Sequence, residues 1–420
     1  MTYKFCRFFV FIIVMLFVLI SCNFESKEVK IVDEENLIIN IWTVDIKSRF
    51  DKYMRYIIEK YEKLNQNIKI NWHDFQKDEI VLKLYEAWQS EELPDIVSLD
   101  TNTLVNKINE DLFVDLYEFD EGISSVFFDR LLKSNEKNGK LLGIPWYTDI
   151  KVLFINKKIM HNSGISEEQY PKTEEEFFNL LSVVKQNSGK FGSILEPENI
   201  KNLILNGLNI FDETGNVNIN TEEIINYFKK YQTQFQDSIV PREFLNFGDK
   251  IYLYANNEVA MLKANFSFIS SIEKISREVY DDTIIFPIPL GKNNVRYSDT
   301  VNLSIVNNGK SLDETLDFIN FVVNERNQTE LINHFNVLPT NKSLMDIENF
   351  LLNDSKIGQA KLIAFKSLED SQDFVYSIQN YNEISNIIEK YSRSIYLDGV
   401  NVEEFIGHAQ NEINNFYVNY

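Results

Sequence analysis

Cysteine is nearly absent: Cys6 and Cys22 are the two in 420 residues, and both stand near the start of the chain. The long remainder therefore holds no internal disulfide and no Cys-x-x-Cys metal or redox pair. Glycine and proline are also scarce, at 14 and 8, which leaves little material for long flexible or polyproline linkers. The four histidines, His73, His161, His334 and His408, are scattered and form no His-Glu-x-x-His helix, so no metal site is expected. A Gly-x-Ser-x-Gly turn and a phosphate-cradling glycine loop are missing too, which removes common signatures of hydrolases and nucleotide-binding enzymes. Positive charge is in deficit. Lys and Arg number 42 against 63 Asp and Glu, for a formal charge of -21, and such a body repels phosphate backbones and is not expected to bind nucleic acid.

What the chain does have is a distinctive beginning. Lys4 and Arg7 precede an apolar run of 13 residues, Phe8 to Ile20, followed by Ser21 and Cys22. The basic pair holds the leading end inside, and the run is shorter than the roughly 20 residues that span hydrocarbon, as in a segment fed to the export machinery. Leu19-Ile20-Ser21-Cys22 resembles a bacterial lipobox. Residues 1–21 thus read as a lipoprotein signal peptide, Cys22 as the thiol that takes lipid, palmitate included, and residues 22–36 as a polar tether. Each buried acyl CH₂ contributes about 0.8 kcal/mol. The expected location is exported and lipid-anchored to a bacterial membrane, periplasmic or at the cell surface. Losing Lys4 and Arg7 with the leader takes the formal charge from -21 to -23.

Past the tether, 44% hydrophobic and 13% aromatic residues supply a large core, and a body of about 400 residues suggests two domains. The isoleucine-rich run from Leu37 to Trp42 predicts a buried strand, and Ser48 stands where a helix cap would. Phe50, Tyr53, Met54, Ile57, Tyr61 and Leu64 follow at helical spacing. Ile68 to Trp72 alternates as a strand does, Val81, Leu82, Leu84, Tyr85 and Trp88 mark a second amphipathic helix, and Asp95 to Leu99 predicts a third strand. This strand-helix-strand-helix-strand order implies an α/β class with a parallel sheet covered by helices. Thr173 to Glu176 and Ser311 to Glu314 both match the capping box.

The strand ending in Trp42, the helix running into Tyr61-Glu62-Lys63-Leu64-Asn65-Gln66-Asn67-Ile68-Lys69-Ile70, and Leu93-Pro94-Asp95-Ile96-Val97 are similar to the opening of extracellular solute-binding protein family 1. These are the sugar-binding, maltose-binding-protein-like lipoproteins of ABC importers. The likeness continues in order through Gly143-Ile144-Pro145-Trp146-Tyr147, Phe154-Ile155-Asn156-Lys157, Glu258-Val259-Ala260-Met261, Pro287-Ile288-Pro289-Leu290-Gly291-Lys292 and Val337-Leu338-Pro339-Thr340. It implies a two-lobe periplasmic-binding-protein-like fold whose cleft closes about a hinge. The first lobe would hold residues 37–147 and 297–345, the second residues 150–290 and 346–420. It further implies no cofactor, no chemistry on the ligand, a small-molecule carbohydrate as ligand, ABC permease subunits as partners, and a monomer.

A sugar presents hydroxyls at its rim and C–H faces above and below, so its receptors place aromatic planes beside fixed carboxylates or amides. The positions that match the family pattern are Trp42 and Asp45 after the first strand, Asp100 past the third, and Trp146 and Tyr147 near the first crossing, with Phe266, Tyr297 and Asp299 as candidates from later in the chain. The resemblance implies that Asp45 and Asp100 accept sugar hydroxyls, that Trp146 and Phe266 stack on rings, and that Trp42 and Tyr147 line the cleft. Taken as residues alone, Trp42, Tyr147 and Tyr297 serve equally as core, and Asp45 and Asp100 as helix caps. Trp72 and Trp88 read as packing residues. Two segments depart from the family: Leu262-Lys263-Ala264-Asn265-Phe266 replaces a glycine, proline or tryptophan cluster, and Arg296-Tyr297-Ser298-Asp299 replaces a glycine-rich turn. Losing glycine there narrows or reshapes the cleft. That leaves room for a non-sugar solute, or for a surface lipoprotein of the same fold that binds a host or cell-wall partner. Chance acidic pairs such as Asp281-Asp282 give no support to a glycosidase.

Overall fold

The computed structural model describes residues 36–119, 122–292, 294–346, 355–375 and 378–417. The leader, Cys22 and the tether up to Glu35 lie outside the described residues. The chain then forms β1 (Leu37–Val44), α1 (Lys47–Leu64), β2 (Ile68–Phe75), α2 (Ile80–Ser90) and β3 (Ile96–Asp100). Further along come β4 (Ile144–Asn156), α3 (Glu174–Ser188), α4 (Ile200–Leu205), α5 (Glu222–Gln236), α6 (Phe247–Ala255), β5 (Met261–Asn265) and β6 (Thr283–Pro287). After them stand β7 (Arg296–Ile305), α7 (Leu312–Val323), β8 (Leu338–Pro339), β9 (Ser371–Asp373), α8 (Tyr381–Asp398) and α9 (Val402–Asn414), with shorter helices between.

Local rules explain most element starts. At α3, Thr173 and Glu176 form the expected reciprocal cap, each side chain accepting from the other's amide at 3.2 and 3.1 Å. Ser48 does not cap α1. The helix begins one residue earlier, and the Asp74 carboxylate at the end of β2 accepts from the amides of Ile46 (3.2 Å) and Lys47 (2.9 Å). An ionised acceptor there satisfies orphan amides and meets the positive end of the helix dipole. Ser311 is no capping box either: its φ of 40° is left-handed, and its carbonyl instead accepts from the Thr315 hydroxyl at 2.7 Å. Trp88 also departs from expectation, being 60% exposed. Helix α2 buries only the narrow stripe of Ile80, Leu84 and Ala87, which turns Leu82, Tyr85 and Trp88 outward. Trp72 is half-buried, and its indole N–H donates to Thr43 Oγ1 at 2.8 Å.

Strands β1 and β3 pair in parallel, with Trp42 opposite Val97. The sheet as a whole is mixed, because β7 joins β3 in antiparallel register, Asp100 opposite Val301, and continues antiparallel to the first half of β4. Those later strands enter from the opposite direction, which the opening of the sequence does not encode. At 13 residues, β4 reaches about 43 Å at ~3.3 Å per residue. Its first half, through Ile150, belongs to this sheet, while its second half, Lys151 to Asn156, carries β5 on one edge and β6 on the other. Val152, Leu153, Phe154 and Ile155 are fully buried, as in a strand covered on both faces.

An apolar cluster sits at each end of that strand. Leu84, Val97, Leu99, Leu104, Leu142 and Val306 pack at the first. At the second, Leu153, Phe177, Phe228, Phe235 and Met261 meet Ile388 and Tyr396 from the end of the chain. Tyr396 lies flat on Phe235, with ring centroids 5.3 Å apart.

Between the clusters runs a buried polar seam. Strand β9 pairs in parallel with β7, Asp373 opposite Ser298, and the Asp373 carboxylate accepts from the hydroxyls of Thr101, Ser298 (2.7 Å) and Thr300 (2.8 Å). Thr300 Oγ1 also lies 2.9 Å from Thr148 Oγ1 on β4. Asn302 donates to Thr101 Oγ1 at 2.9 Å, and Asn135 donates to Asn302 Oδ1 at 2.6 Å. Burial pushes the Asp373 pKa up to about 6, against the pull of its three hydroxyl donors. Replacing Asp373 with Ala strands those hydroxyls, and we expect a loss of about 1–3 kcal/mol, read as a lower denaturant midpoint at unchanged m-value.

Candidate functional site

Where β4 passes from one sheet to the other, the pleat puts Asp149 and Lys151 on one face. A cavity of about 290 Å³ opens on that face. Strand β7 adds Tyr297 and Asp299, again two residues apart, α4 adds Lys201 and Asn202, and the end of β5 adds Asn265. Asn199 also lines the cavity, and its Oδ1 caps α4 by accepting from the Asn202 amide at 2.9 Å. A neighbouring recess of about 480 Å³ shares Lys151, Asn199 and Asn202 and brings Glu196, Phe244 and Arg393.

The cavity is rich in acceptors. Asp149 Oδ2 accepts from Asn265 at 2.6 Å, while its buried Oδ1 has no partner. Burial, with the Asp299 carboxylate adding to it, pushes the Asp149 pKa up to about 7. Asp299 pairs with Lys201 at 2.8 Å, and the same ammonium lies 5.7 Å from the centre of the Phe374 ring, which meets Tyr297 edge-on at 5.9 Å. The carboxylates and amides of the lining offer partners to hydroxyls and Tyr297 offers a ring, while Lys151 and Arg296 add two further cations to the wall.

Of the expected residues, Tyr297 and Asp299 are in this cavity, and Trp42, Asp45 and Asp100 do not line it. Asp45 and Asp100, at the ends of β1 and β3, meet at Lys77, whose amide donates to Asp45 Oδ2 at 3.1 Å and whose ammonium pairs with Asp100 at 3.3 Å. Asp100 also takes the Thr103 amide and hydroxyl, both at 2.9 Å, so it does cap the turn that follows. Burial would raise its pKa, but Lys77 and Thr103 together hold it below the usual carboxylate value. Trp42 is half-buried against Phe75, 4.8 Å between ring centres. Tyr147 is half-buried between Phe50 and Trp146, at 5.4 and 5.1 Å.

Trp146 and Phe266 stand elsewhere than the resemblance implied. They are 1% and 0% exposed, so neither offers a ring face to a ligand, and both act as core. Asp149, Asn199, Asn202 and Asn265 were missed by sequence reasoning. Two signals mark them: an acidic residue inside the apolar strand just past Tyr147, and an Asn pair at the i, i+3 spacing of a helix cap after Pro197.

Comparison with known proteins agrees with this architecture. The sequence profile for bacterial extracellular solute-binding proteins matches residues 56–356. A candidate binding protein of Brucella abortus is 20% identical over 374 residues, spanning 86% of this chain and 88% of its own. Among solved structures, the sugar-binding protein MalE of Xanthomonas citri superposes with a TM-score of 0.74 at 15% identity, over 90% of this chain and 96% of its own. The cyclic alpha-maltosyl-1,6-maltose binding protein of Arthrobacter globiformis gives 0.69 at 14%, over 90% and 98%. These likenesses carry the two-lobe fold.

Two buried carboxyls and one partly exposed one set a pH dependence: Asp373 at about 6 and Glu198 at about 8, with Asp149 at about 7. All are raised, so the stability each contributes is full at pH below about 4, where the unfolded carboxyl is also protonated, and is lost as pH rises through the folded value. Asp149→Asn mimics the protonated acid. It should match the wild type below pH ~4 and exceed its stability above pH ~7 by about 1–3 kcal/mol, measured by thermal melts across that range.

Proposed function

Because the chain belongs to the bacterial extracellular solute-binding protein family, we propose that it captures a carbohydrate at the β4 crossing and delivers it to the membrane permease of an ABC importer. The observation that carries this reading is the cavity, set where one strand leaves its sheet for another and lined by acceptors, amides and Tyr297. Its sugar-binding structural neighbours support the ligand class. The first lobe comprises residues 37–147 and 297–345, the second residues 150–290 and 346–420. The core that joins Leu153 through Met261 to Phe374 through Ile413 supports that division.

Open and closed forms interconvert by hinging at β4, β7 and β9. In the closed form, Trp42, Asp45, Asp100 and Tyr147 approach the ligand from one side, while Asp149, Asn199, Asn202 and Asn265 hold it from the other. A ligand that touches both walls only on closure shifts the population toward the closed form. Micromolar affinity, near -8 kcal/mol, suits capture followed by release. The sugar leaves unaltered, so the protein is a carrier and not an enzyme. Export by the leader and lipid on Cys22 hold it beside its permease.

A thermal-shift screen of sugars against amino acids, peptides and metals tests this reading. A bound sugar at 100 times its dissociation constant should stabilise the protein by about 2.7 kcal/mol. Asp149→Ala and Tyr297→Ala should abolish that response. A response to amino acids or peptides alone, or an undiminished sugar response in both variants, would refute the proposal.

A further inference from the structure

Strands β1 and β3 run in parallel, so their starts lie at one end of the sheet, opposite the end that carries Trp42, Asp45 and Asp100. Near the start of β1, the Asn40 amide donates to Asp95 Oδ2, just ahead of β3, at 2.7 Å. Helix α2 closes at Ser90, shortly before Asp95, so its last turn belongs to that same end. An apolar stripe runs along the outer side of α2. Leu82, Tyr85 and Trp88 follow at three-residue spacing, each more than half exposed, and the Tyr85 and Trp88 rings lie 6.2 Å apart. Ile38, at the start of β1, and Leu64, the last residue of α1, are also more than half exposed. Single exposed apolar side chains are ordinary, whereas a stripe with two aromatics at one end of a sheet is a contact surface.

The charges around the stripe narrow what it contacts. Lys83 pairs with Glu86 at 2.8 Å, and exposed Glu91 and Glu92 follow the helix. A face that captures polyanions or anionic lipid carries surplus Lys and Arg. This one offers rings and aliphatic carbon beside a negative balance, which suits headgroups without net charge. Tryptophan and tyrosine settle at that boundary, with the ring body in the apolar layer and the polar edge in water.

Where the chain enters the body identifies the occupant. On the anchoring reading above, Cys22 carries lipid, and 14 residues separate it from Leu37, the first residue of β1. Even fully extended, those residues reach at most about 50 Å. Within such a reach the bilayer is present at about millimolar effective concentration, so weak interfacial contact is enough to hold the face down.

We propose that the Leu82, Tyr85 and Trp88 stripe of α2, with Ile38 near the point of attachment, docks on the lipid surface to which Cys22 is anchored. The proposal rests on that anchoring and adds an orientation to it. Lipid alone limits how far the body can stray, while the stripe sets which end faces the membrane and leaves the far ends of β1 and β3, with Asp45 and Asp100, clear for solute.

Full-length acylated protein in phosphatidylcholine vesicles tests this, with plain acyl chains in one preparation and brominated chains in the other. Bromine quenches an indole only on close approach. Of the four tryptophans, Trp88 alone is more than half exposed, Trp42 and Trp72 being half-buried and Trp146 buried. Emission should fall in the brominated vesicles, and Trp88→Phe, which keeps an apolar ring but removes the indole, should show no fall. Leu82→Glu combined with Tyr85→Glu, at exposed positions, should restore the emission while the protein still floats with the vesicles. Equal emission in both vesicles from protein that floats, or quenching that survives the double substitution, would overturn the docking face and leave the stripe to a protein partner, with the anchor intact. Protein that fails to float would overturn anchor and docking together.

Discussion

The carboxylate of Asp373 is the constraint on which the middle of the molecule depends. A buried acid must be satisfied or protonated, and this one collects three hydroxyls from two separate stretches of chain, Thr101 after β3 and Ser298 and Thr300 on β7, with Thr148 of β4 one bond further on. Each belongs to a segment that enters or leaves the region between the two apolar clusters. A hydrophobic seam would fuse the clusters, and a water-filled one would let the strands separate. A small network of hydroxyls around one acid fixes the register of β9 against β7.

The same economy of charge shapes the cavity beside it. Asp149 sits on the strand that crosses, is largely shielded from water, and keeps one oxygen without a protein partner. An unpaired acceptor lowers stability in the empty protein, and under the carbohydrate reading proposed above it is the atom a ligand hydroxyl would satisfy. Asp299 and Lys201 neutralise each other at the rim.

The α/β opening of the fold was legible in sequence because it rests on local patterns: the isoleucine run of β1, the helical spacing from Phe50 to Tyr61, and the apolar stretch of β3. The mixed sheet was not, since the pairing of Asp100 with Val301 joins residues whose proximity no local pattern records. Cap positions failed where a distant side chain did the work, as Asp74 does for α1. The candidate site was partly legible. Tyr297 and Asp299 were candidates from a segment that departs from the family and do line the cavity, but Trp146 and Phe266 are core, because an aromatic after a turn looks the same in sequence whether it faces ligand or interior. Asparagines that line the cavity carry no such aromatic flag and were passed over.

The central claim is that two halves move about the β4 crossing and close on a carbohydrate. Spin labels at Tyr85 on α2 and Tyr252 on α6, both well exposed, allow the distance between the halves to be measured by pulsed electron resonance with and without a saturating sugar. The account predicts a distribution that shifts to shorter distance and narrows as the site fills. An unchanged distribution, while calorimetry shows the site occupied, would contradict it.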